Sequence, residues 1–245
     1  MAYRNYINID QSLLDKPIYR IMSISRVLQA LESKKLVLVK PKKWDDPFEN
    51  ALLASAFEMD GGEKTSFAAK ESVYGQCWTI HRETDAMWRI YSAEKDGVRI
   101  TTTPRKLFDA LRAANPDFWQ VRCFVGKVTY LAKDELLTSL GQIALMNPDG
   151  SGIAESLLYK RREFSHEREI RLIYSGQDDV CTDDLFPFDI EPEEVFDRLT
   201  FDPRMDKELV NAYTLAIRSK GFKKPINQSG LYRAPKGLVF KLQTP

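Results

Sequence analysis

The strand-like and helix-like segments of this chain follow one another irregularly, and this pattern constrains the fold more than any other feature. Residues 17–22 and 36–39 are β-forming runs, and between them residues 24–34 carry apolar side chains at helical spacing. The unit does not recur at a fixed interval along the chain. Because a parallel α/β sheet needs regular βαβ alternation, the sequence predicts an α+β fold with mixed, mostly antiparallel sheets and flanking helices.

The same signals predict the remaining elements and the domain organisation. The other predicted strands cover residues 74–80, 97–103, 118–130, 169–174, 195–201 and, in the tail, 230–242. The other predicted helices cover residues 47–57, capped by Asp46, 86–92, capped by Asp85, and 104–114, 134–145, 153–162 and 207–219. With 245 residues and no visible linker or repeat, residues 1–245 are predicted to form one domain. Its core spans about residues 17–205, and the helix and strand of 206–245 pack on it.

Composition limits the classes of partner and the compartment. Lys plus Arg number 36 and Asp plus Glu number 35, so any nucleic-acid binding must come from a local patch. The longest apolar runs are too short to span a bilayer, and the N-terminus lacks an apolar signal region. The three cysteines are widely spaced along the chain. We therefore expect a cytoplasmic protein without a disulfide framework and without membrane contact.

Several common kinds of catalytic site lack their sequence signatures. The two histidines, His81 and His166, form no His-Glu-x-x-His motif, and no Cys-x-x-Cys pair occurs. A Walker A loop, a Gly-x-Gly-x-x-Gly loop and a Gly-x-Ser-x-Gly elbow are also absent from the sequence. Zinc-hydrolase, P-loop and Rossmann interpretations therefore have no support, and we expect no metal.

Two segments combine charge with a favourable predicted position. Tyr19-Arg20 ends a predicted strand just before a helix, where an arginine could bind phosphate oxygens. Alternatively, Arg20 lies on a solvated sheet edge. Further along, Glu167 and Glu169 would point to one face of a strand, with Arg171 continuing that face. They form either a Glu–Arg lattice or a catalytic carboxylate with a helper, as in oxocarbenium-ion chemistry.

Two aromatic segments and three basic clusters admit structural and functional interpretations. Trp88 and Tyr91, three apart on a short predicted helix, are either core residues or a stacking platform for a nicotinamide or nucleobase. Trp44 to Glu49 is either a capped turn or the rim of a pocket, with Asp46 or Glu49 exposed to the ligand. The basic clusters are solvated surface unless they converge, and they cover residues 40–43, 160–162 and 218–224.

Taken in order, these segments resemble DUF2971, a bacterial family of unassigned function. The resemblance covers about residues 17–205. It rests on Tyr19-Arg20, Asp45-Asp46-Pro47-Phe48-Glu49, Cys77-Trp78, Met87-Trp88-x-x-Tyr91, Gly97-Val98, Glu167-x-Glu169-x-Arg171 and Phe201-Asp202-Pro203-Arg204-Met205. Asp45 departs from the family pattern, which more often has Asn there. The family name itself implies no activity.

A more remote resemblance, to ADP-ribosyltransferases, implies an activity. Their first strand carries an aromatic residue followed by Arg or His, matched here by Tyr19 and Arg20, and a later strand begins with a catalytic Glu, often within Glu-x-Glu, matched by Glu167 and Glu169. The middle position of the family is matched either by Tyr91 or by the threonines at 101–103. The resemblance implies an ADP-ribosyltransferase-like fold and NAD as substrate, with no metal.

The same resemblance implies a role for each residue. Arg20, beside Tyr19, would hold the NAD diphosphate or adenosine ribose, and Trp88 or Tyr91 would stack on nicotinamide. Glu169 would stabilise the positive charge that develops on the ribose, and Glu167 would orient or deprotonate the acceptor. The chain would be a bacterial toxin or phage-defence enzyme that modifies a nucleic acid or protein, with an antitoxin or other partner protein.

Two other classes of function stay open at this point. In a non-catalytic binding module, Arg20, Glu167, Glu169 and Arg171 would form an internal ion lattice. In a metal-dependent nuclease, Asp46 would lie within a few ångströms of both glutamates and hold Mg²⁺. The position of Asp46 and the accessibility of Arg20 and Glu169 therefore discriminate the three interpretations.

Overall fold

The structure is a computed structural model that describes residues 4–58, 61–176 and 181–241. Its strands are β1 Tyr6–Ile7, β2 Ile18–Ser23, β3 Lys35–Val39, β4 Ala56–Glu58, β5 Lys64–Ser66, β6 Val73–Thr79, β7 Gly97–Thr102, β8 Cys123–Lys127, β9 Thr129–Leu131, β10 Tyr159–Arg161, β11 Glu169–Ser175, β12 Leu185–Asp189, β13 Arg198–Phe201 and β14 Ile226–Gln228. Its helices are α1 Gln11–Leu14, α2 Ile24–Ser33, α3 Ala51–Ala54, α4 Asp85–Tyr91, α5 Pro104–Ala114, α6 Trp119–Arg122, α7 Lys133–Gly141, α8 Ser151–Ser156, α9 Pro192–Val195 and α10 Lys207–Ser219.

A large mixed sheet organises these elements, and its order is β1-β8-β11-β6-β2-β7-β13-β14. A branch continues from β6 to β3 and on to β12. Apart from the parallel pairs β1–β8 and β13–β14, neighbouring strands of this sheet run antiparallel. The expected α+β class with a mixed, mostly antiparallel sheet and flanking helices is confirmed.

The sheet has a seam where β2 meets β6. β2 pairs with β7 along its whole length but contacts β6 through a single register pair, Tyr19 with Thr79. On the same edge of β6, Gly75 pairs with Val39 of β3. Between these two pairs the edge of β6 has no strand neighbour, and the two halves of the sheet diverge. This seam positions the site described below.

The alternation of β11 separates the two faces of the sheet. Ile170 and Leu172 pack into the larger hydrophobic core, whereas Ile173 packs into a smaller one on the opposite face. Glu169 and Arg171 share the parity of Ile173, so the expectation that they lie on one face, opposite Ile170 and Leu172, is confirmed.

Several predicted boundaries were wrong. The predicted strand over 118–130 is interrupted, because Phe118 adopts a left-handed conformation (φ 57°) and starts α6. The predicted helix over 153–162 stops with α8, since residues 159–161 pair with β9 as β10. Thr84, rather than Asp85, caps α4 by accepting the Met87 N–H.

Other segments are shorter than predicted. The helix expected over 47–57 is a 3₁₀ turn at Pro47–Asn50 followed by α3 and then β4. α7 ends at Gly141 rather than at residue 145, and β13 starts only after α9. In the tail the strand is β14, residues 230–241 form none, and residue 242 of the predicted strand lies outside the described residues. Among the described helices, none combines the length and the apolar character that crossing a membrane requires.

Candidate functional site

A cavity opens at the seam between β2 and β6. Its volume, with the space at its mouth included, is about 460 Å³. It is lined by Tyr19, Arg20, Ile21, Cys77, Trp78, Thr79, Met87, Tyr91, Glu167 and Glu169. Of the six residues singled out as site residues from the sequence, the cavity brings together five, and Trp88 is the exception.

Arg20 occupies the gap that the seam leaves in the sheet. Its Nη1 donates a hydrogen bond of 3.2 Å to the carbonyl of Cys77, which lies on the part of β6 that lacks a strand neighbour. A buried carbonyl needs a donor, so the guanidinium takes the place of the missing strand. Burial lowers the pKa of Arg20, while Cys77, Tyr91 and Glu169 oppose that effect. The side chain still stays protonated, because arginine keeps its charge in proteins.

Glu169 is the first residue of β11 and is held by two cations. Its Oε1 accepts from Lys160 Nζ at 2.9 Å, and its Oε2 accepts from Arg171 Nε at 2.6 Å. Its backbone N–H donates to the Tyr130 hydroxyl at 2.9 Å, which fixes the start of the strand. Burial raises the pKa of Glu169, but Arg171, the hydrogen bond with Glu167 and Lys160 together lower it to about 2. Glu169 is therefore ionised at neutral pH.

Glu167 lies outside the strand, which corrects its predicted placement. It ends the 3₁₀ turn Arg162–Glu167, and Arg168 then reverses the backbone with a φ of 44°. The carboxylate nevertheless reaches the side of Glu169, because Lys160 also donates to its Oε2. Its Oε1 accepts from the Tyr91 hydroxyl at 3.0 Å. Burial and the neighbouring Glu169 raise the pKa of Glu167, so it takes up a proton more readily than Glu169.

Glu49 and Arg171 complete a buried ion cluster, a name kept here for Glu49, Lys160, Glu167, Glu169 and Arg171. Arg171 is fully buried; its Nη2 binds Glu49, and its Nη1 donates to a backbone carbonyl. Lys160 Nζ lies 3.1 Å from Glu49 Oε1. The cluster holds three carboxylates and two cations, so it carries one excess negative charge when every group is ionised. That excess lies against the cavity through Glu167 and Glu169.

Packing behind the cluster explains why the sequence accepts a buried arginine. The Arg171 guanidinium lies 4.4 Å from the centre of the Trp44 ring, which provides a cation–π contact for a fully buried charge. The Trp44 ring in turn needs Gly75, because a Cβ there would lie 2.6 Å from the ring. The Trp44 segment, predicted either as a turn or as a pocket rim, therefore supports the cluster from behind.

The two aromatic residues of α4 have different environments. Tyr91 lines the cavity and is 43% exposed, whereas Trp88 is fully buried and donates its Nε1 to Glu83 at 2.9 Å. Trp88 lies outside the cavity lining, and its packing holds the helix that presents Tyr91. The threonines at 101–103, the alternative to Tyr91, are also outside the lining, and Thr103 caps α5.

Asp46 forms no contact with Glu167 or Glu169 among the described interactions. It pairs with Arg161 at 3.0 Å and caps the Phe48 N–H at 3.1 Å. Within the described ranges, no group of three or more His, Cys, Asp or Glu side chains is arranged to hold a metal ion. Neither Asp46 nor Glu49 lines this cavity, so the pocket-rim alternative has no support from it. The other interpretation, a structural role for this segment, accounts for Asp46 as a cap and for Glu49 as a member of the buried ion cluster.

Sequence reasoning missed Lys160 and Cys77. Lys160 was assigned to a solvated basic cluster on a helix, yet it is 5% exposed on β10 and binds three carboxylates. The sequence feature that could have indicated a buried cation here is the pair of carboxylates in Glu167-x-Glu169, which need positive partners. Cys77 faces the cavity, but burial raises the pKa of its thiol to about 12. The thiol therefore stays protonated and is a poor nucleophile.

The three basic clusters are largely neutralised by local partners. Lys42 and Lys43 bind Asp184 at 2.7 and 3.0 Å. Arg162 lies 3.3 Å from Glu135. In the third cluster Lys220 pairs with Glu32, and Arg218 donates to backbone carbonyls at the end of α10. The third cluster therefore matches the expectation of ordinary surface, whereas the first contains the buried Lys40 and the middle one the buried Lys160.

Comparison with solved structures finds proteins of low similarity to this chain. No family model and no curated protein matches the sequence, so membership of DUF2971 stays a prediction. Thermus sp. 2.9 DarT in complex with NAD⁺ has a TM-score of 0.40 at 10% identity, over 87% of this chain and 95% of that chain. The same protein with ADP-ribosylated ssDNA gives 0.41 at 11% identity, over 93% and 97%. Thermosipho africanus DarTG with ADP-ribose gives 0.35 at 11% identity, over 87% and 50%. TM-scores this low do not transfer a function, which has to be argued from the cavity itself.

Proposed function

We propose that this chain is an NAD-dependent ADP-ribosyltransferase whose active site is the cavity at the seam between β2 and β6. The observation that carries the proposal is the shared cavity of Arg20 and Glu169. The two residues come from strands on opposite sides of β6 and form no ion pair with each other among the described contacts. A fixed cation and a fixed anion thus flank one opening.

This charge arrangement suits NAD⁺. The dinucleotide has an anionic diphosphate and a cationic nicotinamide ring, and its charges complement Arg20 and the excess carboxylate of the buried ion cluster. A guanidinium binds phosphate oxygens through charge-assisted hydrogen bonds. Tyr19 and Tyr91 add aromatic surface on the lining, and Tyr91 is the residue of α4 that could stack on nicotinamide.

The reaction breaks the bond between the nicotinamide nitrogen and C1 of the ribose. The electron pair of that bond leaves with nicotinamide, which becomes neutral, and positive charge develops on the ribose. Glu169 is ionised and fixed by Lys160 and Arg171, so it stabilises that charge without reorganising. An acceptor nucleophile then bonds to C1 and loses its proton.

Glu167 is the group proposed to take that proton. Its pKa is raised, mainly by burial, which improves a carboxylate as a general base near neutral pH. The Tyr91 hydroxyl donates to it and fixes its orientation. The two glutamates thus have different proposed roles, because Glu169 stays ionised and Glu167 accepts a proton.

The wider role proposed is that of a bacterial toxin or defence enzyme, located in the cytoplasm. Its acceptor is a nucleic acid or a protein, and an antitoxin or another partner protein would restrain it. These assignments depend on the resemblance of Tyr19-Arg20 and Glu167-x-Glu169 to ADP-ribosyltransferases. They are tested together with the activity.

The test mixes the purified protein with NAD⁺ labelled in its adenylate half and with bacterial RNA, DNA or protein. We expect the wild type to transfer label to one fraction and to release nicotinamide. Glu169→Gln should lower transfer by at least about a hundredfold, as removal of a preorganised transition-state partner does. Glu163→Gln is the matched control, because Glu163 is exposed in the adjoining turn.

Because Glu169 also supports the fold, a second variant keeps the test decisive. Arg20→Ala should weaken NAD⁺ binding more than it slows transfer at saturating NAD⁺. The absence of both NAD⁺ binding and label transfer in the folded wild type would contradict the proposal. Unchanged NAD⁺ affinity in Arg20→Ala would contradict the role of Arg20 alone.

A binding module is the second candidate, and one observation favours it. Both oxygens of Glu169 are occupied by cations, as an internal ion lattice requires. In that case the cavity holds a ligand without changing it. NAD⁺ binding without transfer or nicotinamide release would select this function.

A further inference from the structure

A second pocket lies beside the cavity and carries a different charge. It is lined by Pro17, Tyr19, Arg82, Arg99, Thr101, Asp197 and Arg198, and we name it the arginine pocket. Tyr19 lines both openings, so the two are neighbours on the sheet. Three arginines against one aspartate give this lining two excess positive charges.

The sheet register places these side chains together. Tyr19 pairs with Thr101 of β7, and Thr101 pairs with Arg198 of β13, so the three residues lie side by side on one face. Arg99 lies two residues before Thr101 and shares that face. Arg82 belongs to the loop between β6 and α4, and its carbonyl accepts a hydrogen bond from Arg99 Nη1.

Arg99 is buried without being fully satisfied. It is 6% exposed, its guanidinium stacks 5.2 Å from the Tyr19 ring, and Nη1 lies 3.4 Å from Glu83. Its Nε has no hydrogen-bond partner among the described residues. A buried guanidinium with spare donor capacity is costly unless something compensates its charge. Burial lowers the pKa of Arg99, and Arg82 and Arg198 add to the lowering, while Glu83 opposes it.

The other charged residues of the arginine pocket leave its opening positively charged, which favours the binding of an anion. Arg82 and Arg198 are exposed, and neither forms an ion pair within the described part of the chain. The carboxylate of Asp197 is bound by Lys106, which neutralises it. The pocket therefore offers one fixed guanidinium and two free ones around a single opening.

We propose that the arginine pocket binds a phosphate group. Guanidinium donors match the geometry of phosphate oxygens, and a dianion or a diester would compensate the excess charge. The phosphate comes either from the diphosphate of a dinucleotide in the neighbouring cavity or from a phosphodiester of a nucleic-acid strand. This proposal is argued from the residues of the arginine pocket alone and does not depend on ADP-ribosyl transfer.

The test measures binding of inorganic phosphate by titration calorimetry at constant ionic strength, with sodium chloride as the reference salt. The full-length wild type should bind phosphate, and Arg82→Gln combined with Arg198→Gln should weaken binding by about tenfold or more, as loss of charge-assisted hydrogen bonds does. Arg26→Gln, an exposed change on α2, is the control. No phosphate binding by the wild type, or equal binding by the double variant, would overturn the proposal.

Two further titrations identify the source of the phosphate. If the double variant also loses affinity for NAD⁺, the pocket takes the diphosphate of the dinucleotide. If it loses affinity for a single-stranded DNA tetranucleotide and keeps that for NAD⁺, the pocket takes a phosphodiester. Both exposed substitutions leave the core untouched, so unfolding curves that match the wild type are expected throughout.

Discussion

The buried ion cluster and the arginine pocket lie on either side of Tyr19, yet they use charge in opposite ways. Each of the five members of the cluster is at most 9% exposed, and each is paired with an opposite charge. In the arginine pocket two of three cations are exposed and lack an ion pair in the described chain. Burial forces charges to find protein partners, whereas exposure leaves them available to a ligand.

The two regions should also respond differently to mutation: changes in the buried ion cluster should affect stability, and changes in the arginine pocket should affect ligand binding. Removing one member of the cluster leaves a buried charge without its partner, so the fold should suffer. Removing an exposed arginine should affect a ligand and leave the fold intact. The four predictions below test this contrast, from the largest expected effect to the smallest.

Lys160→Met should cause the largest loss of stability. It leaves Glu49, Glu167 and Glu169 facing Arg171 alone, and breaking a buried pair costs about 3–5 kcal/mol. Urea unfolding at neutral pH measures the change. Lys43→Met is the matched control, because Lys43 and Asp184 lie 3.0 Å apart at the surface, and exposed ion pairs contribute little to stability. Similar losses in the two variants would refute the contrast between buried and exposed charges.

The stability of the wild type should fall in acid because of Glu169. Its pKa in the folded protein, about 2, lies below the usual 4.5, so its contribution is present above pH 4.5 and is lost as the pH falls toward 2. Unfolding free energies measured across this range should fall less steeply in Glu169→Gln. Parallel curves for this variant and the wild type would count against the assignment, and Glu163→Gln should follow the wild type.

Tyr91→Phe tests the link between the cavity wall and the cluster. It removes the hydroxyl that donates to Glu167, which should cost about 1 kcal/mol of stability. Loss of a donor to the carboxylate should also raise the pKa of Glu167 further. Carbon-13 titration of the glutamate carboxyls by NMR reports that pKa. Tyr213→Phe on α10 is the control, and an unchanged Glu167 titration in Tyr91→Phe would argue against the hydrogen bond.

Asp197→Asn should have the smallest effect of the four, and the informative result is whether phosphate affinity rises or falls. It removes the one carboxylate among the described residues that line the arginine pocket and leaves the Lys106 ammonium without that partner. The added positive charge should raise phosphate affinity by about threefold at low ionic strength. The gain should shrink as salt is added. Asp109→Asn on α5, where Asp109 pairs with Arg112 at 3.2 Å, is the control. A loss of phosphate affinity in Asp197→Asn would contradict an electrostatic role for the pocket.

Local periodicity predicted much of the frame of the site. The strand–helix–strand opening over residues 17–39 follows the predicted order, and β11 has the predicted alternation of faces. These features depend on residues within one turn or one strand, so the sequence displays them directly. The same reasoning named Arg20, Glu167, Glu169 and Tyr91, which the fold brings to one cavity.

The errors occurred where long-range contacts override local signals. Residues 153–162 have a helical pattern, yet Tyr159–Arg161 form β10 by pairing with β9, and there Lys160 meets Glu49 from a distant segment as well as Glu169 from the following strand. Trp88 and Tyr91 share a predicted helix, but the sheet buries the first and leaves the second in the cavity. No local pattern distinguishes these outcomes, because the partners are far apart in the chain.

The sequence by itself determined the fold class, the two faces of β11 and the surplus of carboxylates at Glu167-x-Glu169. Each of these follows from the identity and spacing of neighbouring residues. Only the tertiary structure decided that β2 and β6 diverge after one pair, that Arg20 fills the gap, and that Arg82, Arg99 and Arg198 surround one opening. Those outcomes depend on strand order and register, which are fixed by packing and hydrogen bonding between segments that are distant in the sequence.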